Sequence, residues 1–102
     1  MHIKPGVKLD KLQPQMIPAM MAVDKVWYVH GLDPTLTSGN DGKHRVGSLH
    51  YQGLALDFRT RDISSTKALF FRDRLKEMLG DEYRIIIEYD PLHAHIEWIG
   101  GK

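Results

Sequence analysis

The 102-residue chain contains no cysteine, so no disulfide can staple it, and any metal must be held by histidine, aspartate or glutamate. It also lacks a large charge of either sign. Lys+Arg total 14 against 13 Asp+Glu, a net +1, which leaves no basic stripe of the kind that tracks a nucleic-acid backbone. No apolar stretch approaches the roughly 20 residues needed to cross a bilayer. The opening Met1-His-Ile-Lys-Pro-Gly has no apolar run of the signal-peptide kind. These features lead us to expect a protein made in the cytoplasm, with no nucleic-acid or membrane partner. Repeats, low-complexity segments and linkers are missing too, so we expect a single domain over 1–102 and a monomer.

The periodicities that are present outline an α+β domain. To about residue 12 the chain is polar, with Pro5-Gly6, and reads as an arm or short loop. Over 13–29, Met16, Met20, Val23 and Trp27 recur at helical spacing, and His30-Gly31 is a stop. Leu36-Thr37-Ser38 reads as a short strand ended by Gly39-Asn40-Asp41-Gly42, and 43–53 as an ordered loop. Residues 54–60 alternate, with Leu54, Leu56 and Phe58 on one face and Ala55, Asp57 and Arg59 on the other. Ser64 or Ser65 then caps a helix to Leu79 whose buried stripe is expected to be Ala68, Phe71, Leu75 and Met78, with Gly80 past its end. The β-branched run 83–89 and the segment 93–99 form a hairpin around Asp90-Pro91-Leu92. The expected order is helix, strand, strand, helix, strand, strand: a largely antiparallel sheet with the helices on one face.

Within this frame three residues could be ligands of one metal. Alternation sends Ala94, Ile96 and Trp98 to the helices and leaves His93, His95 and Glu97 on the open face. Asp57, pointing away from Leu56 and Phe58, faces the same side. His50 lies seven residues before Asp57. His50, Asp57 and His95 thus offer three protein ligands with no thiolate, a set suited to a catalytic zinc with an open fourth position and a metal-activated water. Other divalent metals accept similar donors. A hairpin loop with an even number of residues places Glu88 opposite His95 and Asp90 opposite His93, within about 5 Å at Cβ. Either carboxylate is then a candidate general base, and His93 a hydrogen-bond partner of the tetrahedral intermediate or of the carboxylate. Taken singly, a His-x-His pair on a strand is ordinary surface decoration and an aspartate an ordinary turn or salt-bridge residue. Glu97 reads as solvated or paired with Arg59, His2 and His30 as incidental, and His44 as ambiguous. Only the combination is specific.

Ser48-x-His50-x-x-Gly53-x-Ala55-x-Asp57 followed by His93-x-His95 resembles the signature of the zinc D-Ala-D-Ala carboxypeptidase/dipeptidase family. That family shares its fold with the amino-terminal signalling domain of hedgehog proteins. Thr37-Ser38-Gly39, Asp41-Gly42 and Ile87-Glu88 add likeness to small phage and prophage members, and the resemblance spans about 36–98. It implies zinc on His50, Asp57 and His95, with His93 a non-ligand active-site histidine. Gly53 and Ala55 would leave room for the ligand loop and substrate, and Ser48 would order that loop or touch substrate. The chain departs from the pattern in two places. Leu92 stands where many relatives carry the catalytic carboxylate, so Glu88 is the first choice of base and Asp90 the second. The arginine that polarises the scissile carbonyl in relatives has only Lys43, His44 and Arg45 as counterparts, with Arg45 the candidate substrate contact.

The function implied is hydrolysis of peptidoglycan stem-peptide amide bonds, as a D-Ala carboxypeptidase or an endolysin-type endopeptidase acting on the cell wall after phage-type release. The alternative is a non-catalytic zinc-binding interaction module of the same fold.

Overall fold

A computed structural model describes residues 1–100 and contains one five-stranded sheet and two helices. The helices are α1 (Met16–Val29) and α2 (Ser65–Leu79). The strands are β1 (His2–Ile3), β2 (Thr35–Ser38), β3 (Ala55–Arg59), β4 (Tyr83–Glu88) and β5 (His93–Trp98), in the spatial order β1-β2-β3-β5-β4. All neighbouring pairs are antiparallel except β1 with β2. The expected α+β class holds, and no described helix is long and apolar enough to cross a membrane.

Each helix forms where its sequence presents one apolar stripe. Met16, Ala19, Ala22, Val23, Val26 and Trp27 of α1 are buried, and Trp27 meets Phe71 of α2 with ring centroids 4.6 Å apart. The Ser64 hydroxyl accepts a bond from Lys67 N at 3.0 Å, satisfying one of the backbone donors that the first turn leaves free. Met78 is a correction to the expected stripe of α2: it is 42% exposed. Ala68, Phe71 and Leu75 are buried, and the next position facing the core is Leu79, four residues on from Leu75, which rotates Met78 towards solvent.

Beneath the helices, Leu36, Leu56, Phe58, Ile85, Ala94 and Ile96 close one core. Because strand side chains alternate, the same strands turn Asp57, His93, His95, Glu88 and Glu97 to the uncovered face.

The polar opening was expected to be an arm or loop, and its first residues instead form an edge strand. His2 N bonds to Pro34 O at 2.7 Å and Lys4 N to Leu36 O at 2.9 Å, while the terminal amine pairs with Asp33 at 2.8 Å. Two residues joined by backbone bonds, with both side chains exposed, leave no periodicity to detect.

The arm then passes under the site loop. Gln13 N bonds to Gly53 O at 3.0 Å, and a Cβ at Gly53 would collide with the Lys11 carbonyl oxygen. Gly53 also has φ +72°, so both its backbone angle and its crowding require glycine.

Candidate metal centre

The motif around His50 is a piece of local structure before it is a ligand set. Ser48 caps a short 3₁₀ helix, Leu49–Gln52, its hydroxyl accepting from His50 N at 3.2 Å. Gly53 ends that helix in the left-handed region, and the chain runs directly into β3. Cap, ligand and glycine stop therefore fix where the His50 ring sits relative to Asp57. The ring is buried, and a third contact completes its placement: Nδ1–H donates to the Gly39 carbonyl at 2.8 Å. A register irregularity in β2 between Leu36 and Ser38, which sets Ser38 opposite Asp57, precedes that carbonyl.

From the other side comes His95, directly opposite Asp57 in the β3–β5 ladder. Its Nδ1 lies 2.9 Å from Asp57 Oδ1, and His50 Nε2 lies 3.3 Å from the same oxygen. The remote nitrogen of His95, Nε2, donates to Glu97 Oε1 at 2.7 Å. Each ring thus has its far nitrogen tied to an acceptor and its near nitrogen turned towards one carboxylate oxygen. That is the arrangement metal-ligating histidines adopt, in which the outer hydrogen bond selects the tautomer and orients the ring. One donor atom from each of His50, Asp57 and His95 lies within 4.8 Å of the others, so these residues are placed to hold a metal ion.

The electrostatics agree with the geometry. Burial would raise the Asp57 carboxyl, but bonds to His50 and His95 outweigh it and hold Asp57 well below the usual carboxylate range. Burial would lower His95, and bonds to Asp57 and Glu97 outweigh that too, pushing it up to about 9. With no cation bound, His95 would keep a proton on Nδ1 towards Asp57, in the place a cation would take.

The hairpin register corrects the expected placement of the base. The loop between β4 and β5 has an even number of residues, as the argument required, yet it closes directly on Glu88 opposite His93, and Ile86 is the residue opposite His95. Glu88 reaches the site diagonally: its Oε1 is 3.2 Å from His93 Nε2 and 3.9 Å from His95 Nδ1. His93 Nδ1–H donates to the Pro91 carbonyl at 2.7 Å. Asp90 is not opposite His93. It sits exposed in the turn at φ 69° and does not line the cleft.

Glu97 is a second correction. Its partners are His95 and, at 3.6 Å, Arg84, not Arg59.

The cluster opens into a cleft of about 690 Å³, with Arg45, Ser48, Arg84 and Glu88 among its lining residues. One residue at this site, Arg84, was not singled out beforehand, and His44 was left ambiguous. Arg84 shares the open face with Glu88, as period two along β4 would have shown. His44 stacks on His50 with ring centroids 3.9 Å apart and planes within 8°. Its Nε2–H donates to the Asp41 carbonyl at 2.9 Å, and its backbone is clamped through N and O by the Tyr51 hydroxyl. Nothing in the spacing signals that stacking, because it depends on how the loop folds back. His2 pairs with Asp33, and His30 packs on Phe70 and Phe71, both away from the cleft.

Comparison with family models, with curated proteins and with solved structures finds no match. The function must be argued from these residues.

Proposed function

We propose that the chain is a zinc peptidase that hydrolyses amide bonds of peptidoglycan stem peptides. The observation that carries the reading is the convergence of His50 Nε2 and His95 Nδ1 on Asp57 Oδ1, with both remote nitrogens anchored. Two neutral imidazoles, one carboxylate and no thiolate suit zinc, and an open cleft leaves a coordination position for water or substrate. Zinc held there would act as a Lewis acid and lower the pKa of water to about 7. The peptide class comes from the resemblance of Ser48-x-His50-x-x-Gly53-x-Ala55-x-Asp57 and His93-x-His95 to the D-Ala-D-Ala carboxypeptidase/dipeptidase signature.

The remaining roles belong to side chains on the cleft wall. Glu88 is half exposed and beside the ligands, so it can accept a proton from the attacking water and pass it to the leaving amine. His93 Nδ1–H donates to the Pro91 carbonyl at 2.7 Å and its Nε2 lies 3.2 Å from Glu88 Oε1, so His93 orients Glu88 beside the ligands. Arg45 and Arg84 line the same cleft and can bind the carbonyl or carboxylate groups of a peptide.

The test is release of new amino groups from purified cell walls by zinc-loaded protein and by Glu88→Ala. The wild type should cleave, and the variant should lose about 10²-fold or more. Zinc bound without cleavage of any wall type would leave the non-catalytic zinc-binding module as the reading. No zinc bound at all would remove both.

A further inference from the structure

A second, smaller cleft of about 240 Å³ lies on the open face on the β1–β2 side of the ligand cluster. Lys4 follows β1, Arg59 ends β3 opposite His93, and Arg61 follows it; all three side chains line the cleft. Its other walls include Thr37, Asp57 and His93, and the last two also line the large cleft. The two clefts therefore meet at the ligand cluster.

Asp57 is the only carboxylate among the residues lining the small cleft, and its oxygen is engaged by His50 and His95. Among the described residues, Lys4, Arg59 and Arg61 have no carboxylate within ion-pairing distance. On the same open face Arg84 does find such a partner, in Glu97 at 3.6 Å. Three cations lining one small cavity whose only carboxylate is already engaged give it a local positive charge in a chain of net charge +1.

We infer that this cleft is an anion subsite that binds a carboxylate of the substrate while the scissile amide lies over His50, Asp57 and His95. The inference rests on the peptidase reading and extends it to the ligand. Guanidinium groups bind carboxylates through paired, charge-assisted hydrogen bonds, which makes two arginines and a lysine suited to this group. A stem peptide offers that chemistry from two sources, the terminal α-carboxylate of its last D-alanine and the free α-carboxylate of its γ-linked glutamate. The first would make the enzyme a carboxypeptidase and the second would position an internal bond.

The experiment is calorimetric titration of the zinc-loaded full chain, carrying Glu88→Gln to prevent turnover. The probe is a stem pentapeptide ending in D-Ala-D-Ala, used with both carboxylates free, with the terminus amidated, or with the glutamyl carboxylate amidated. One amidation should weaken binding about tenfold, the size expected for a lost charge-assisted contact. The same amidation should cost nothing once Lys4→Gln, Arg59→Gln and Arg61→Gln, which remove all three cations of the cleft, are added. Which amidation matters identifies the source. Equal affinity for all three peptides overturns the subsite, and so does an amidation penalty that survives in the added variants, since the carboxylate is then read elsewhere. Carboxylate-dependent binding with no cleavage by the wild type would refute the peptidase reading and leave the subsite standing. Cleavage by the wild type with no carboxylate dependence would do the reverse.

Discussion

Glu97 Oε1 lies 2.7 Å from His95 Nε2, and this contact decides which nitrogen of His95 points at Asp57. A carboxylate behind a ligand histidine holds the ring in one tautomer and raises its basicity. Glu97→Gln keeps the shape and removes the charge. We expect zinc affinity to fall about 10- to 100-fold with the fold intact, the usual cost of losing such an outer partner. Competition with a chromophoric chelator measures it; unchanged affinity would mean that Glu97 is only a surface acid.

The metal-free protein should lose stability as it becomes alkaline. His95 is pushed from 6.5 to about 9 in the folded state, so its contribution is fully present below about pH 6.5 and disappears as pH rises through about 9. That loss is on the order of 3 kcal/mol, seen as a falling urea midpoint between these pH values. Asp57 acts in the other direction. Its depressed carboxyl stabilises above the ordinary value of 3.8 and ceases to do so in strong acid. Zinc held on His95 Nδ1 would displace its proton, so the alkaline loss should vanish in zinc-loaded protein. Binding near neutral pH should also release protons, measurable as a buffer-dependent heat.

Glu88 and Asp90 should part company under mutation. Glu88→Gln should reduce cleavage about 10²-fold or more while leaving zinc content unchanged, because Glu88 faces His93 and touches the cluster only from one side. Asp90→Asn should leave cleavage within twofold of wild type, given an exposed side chain outside the cleft. A larger loss for Asp90→Asn than for Glu88→Gln would reverse the assignment.

Removing a ligand should abolish both metal binding and the stability that bound metal confers. In His50→Ala, zinc content measured by elemental analysis should drop to near background, and chelator should no longer lower the melting temperature. Retention of stoichiometric zinc would contradict the ligand set.

Gly53→Ala tests the support of the site loop. A side chain at φ +72° that also meets the Lys11 carbonyl should cost about 2 kcal/mol or more, read from the urea midpoint. Zinc affinity should fall with it, since Gly53 ends the 3₁₀ helix that carries His50.

Alternation along β3 and β5 was legible from residues 54–60 and 93–99 alone, because strand side chains take opposite faces whatever the partner strand is. That was enough to put Asp57, His93 and His95 on one open face. Helical spacing likewise exposed the cores of α1 and α2. It misjudged only Met78, where one step of rotation at the end of a helix separates a buried position from an exposed one. The local motif from Ser48 to Gly53 was legible as cap and stop, since both are properties of neighbouring backbone groups.

What the chain order could not supply was anything that depends on how distant segments meet. Turn parity was only a condition in the sequence reading, and the residue at which the hairpin closes was set by the backbone of 89–92, which moved Glu88 from opposite His95 to opposite His93. The pairing of β1 with β2, the collision that makes Gly53 obligatory, the stack of His44 on His50 and the gathering of Lys4, Arg59 and Arg61 all join residues through space. The candidate ligands and their facing were thus legible in the sequence, because period and local backbone chemistry are short-range. Which nitrogen each histidine presents, which carboxylate stands beside it and where the cations collect were decided only by the tertiary structure, which fixes the distances on which hydrogen bonds and charges depend.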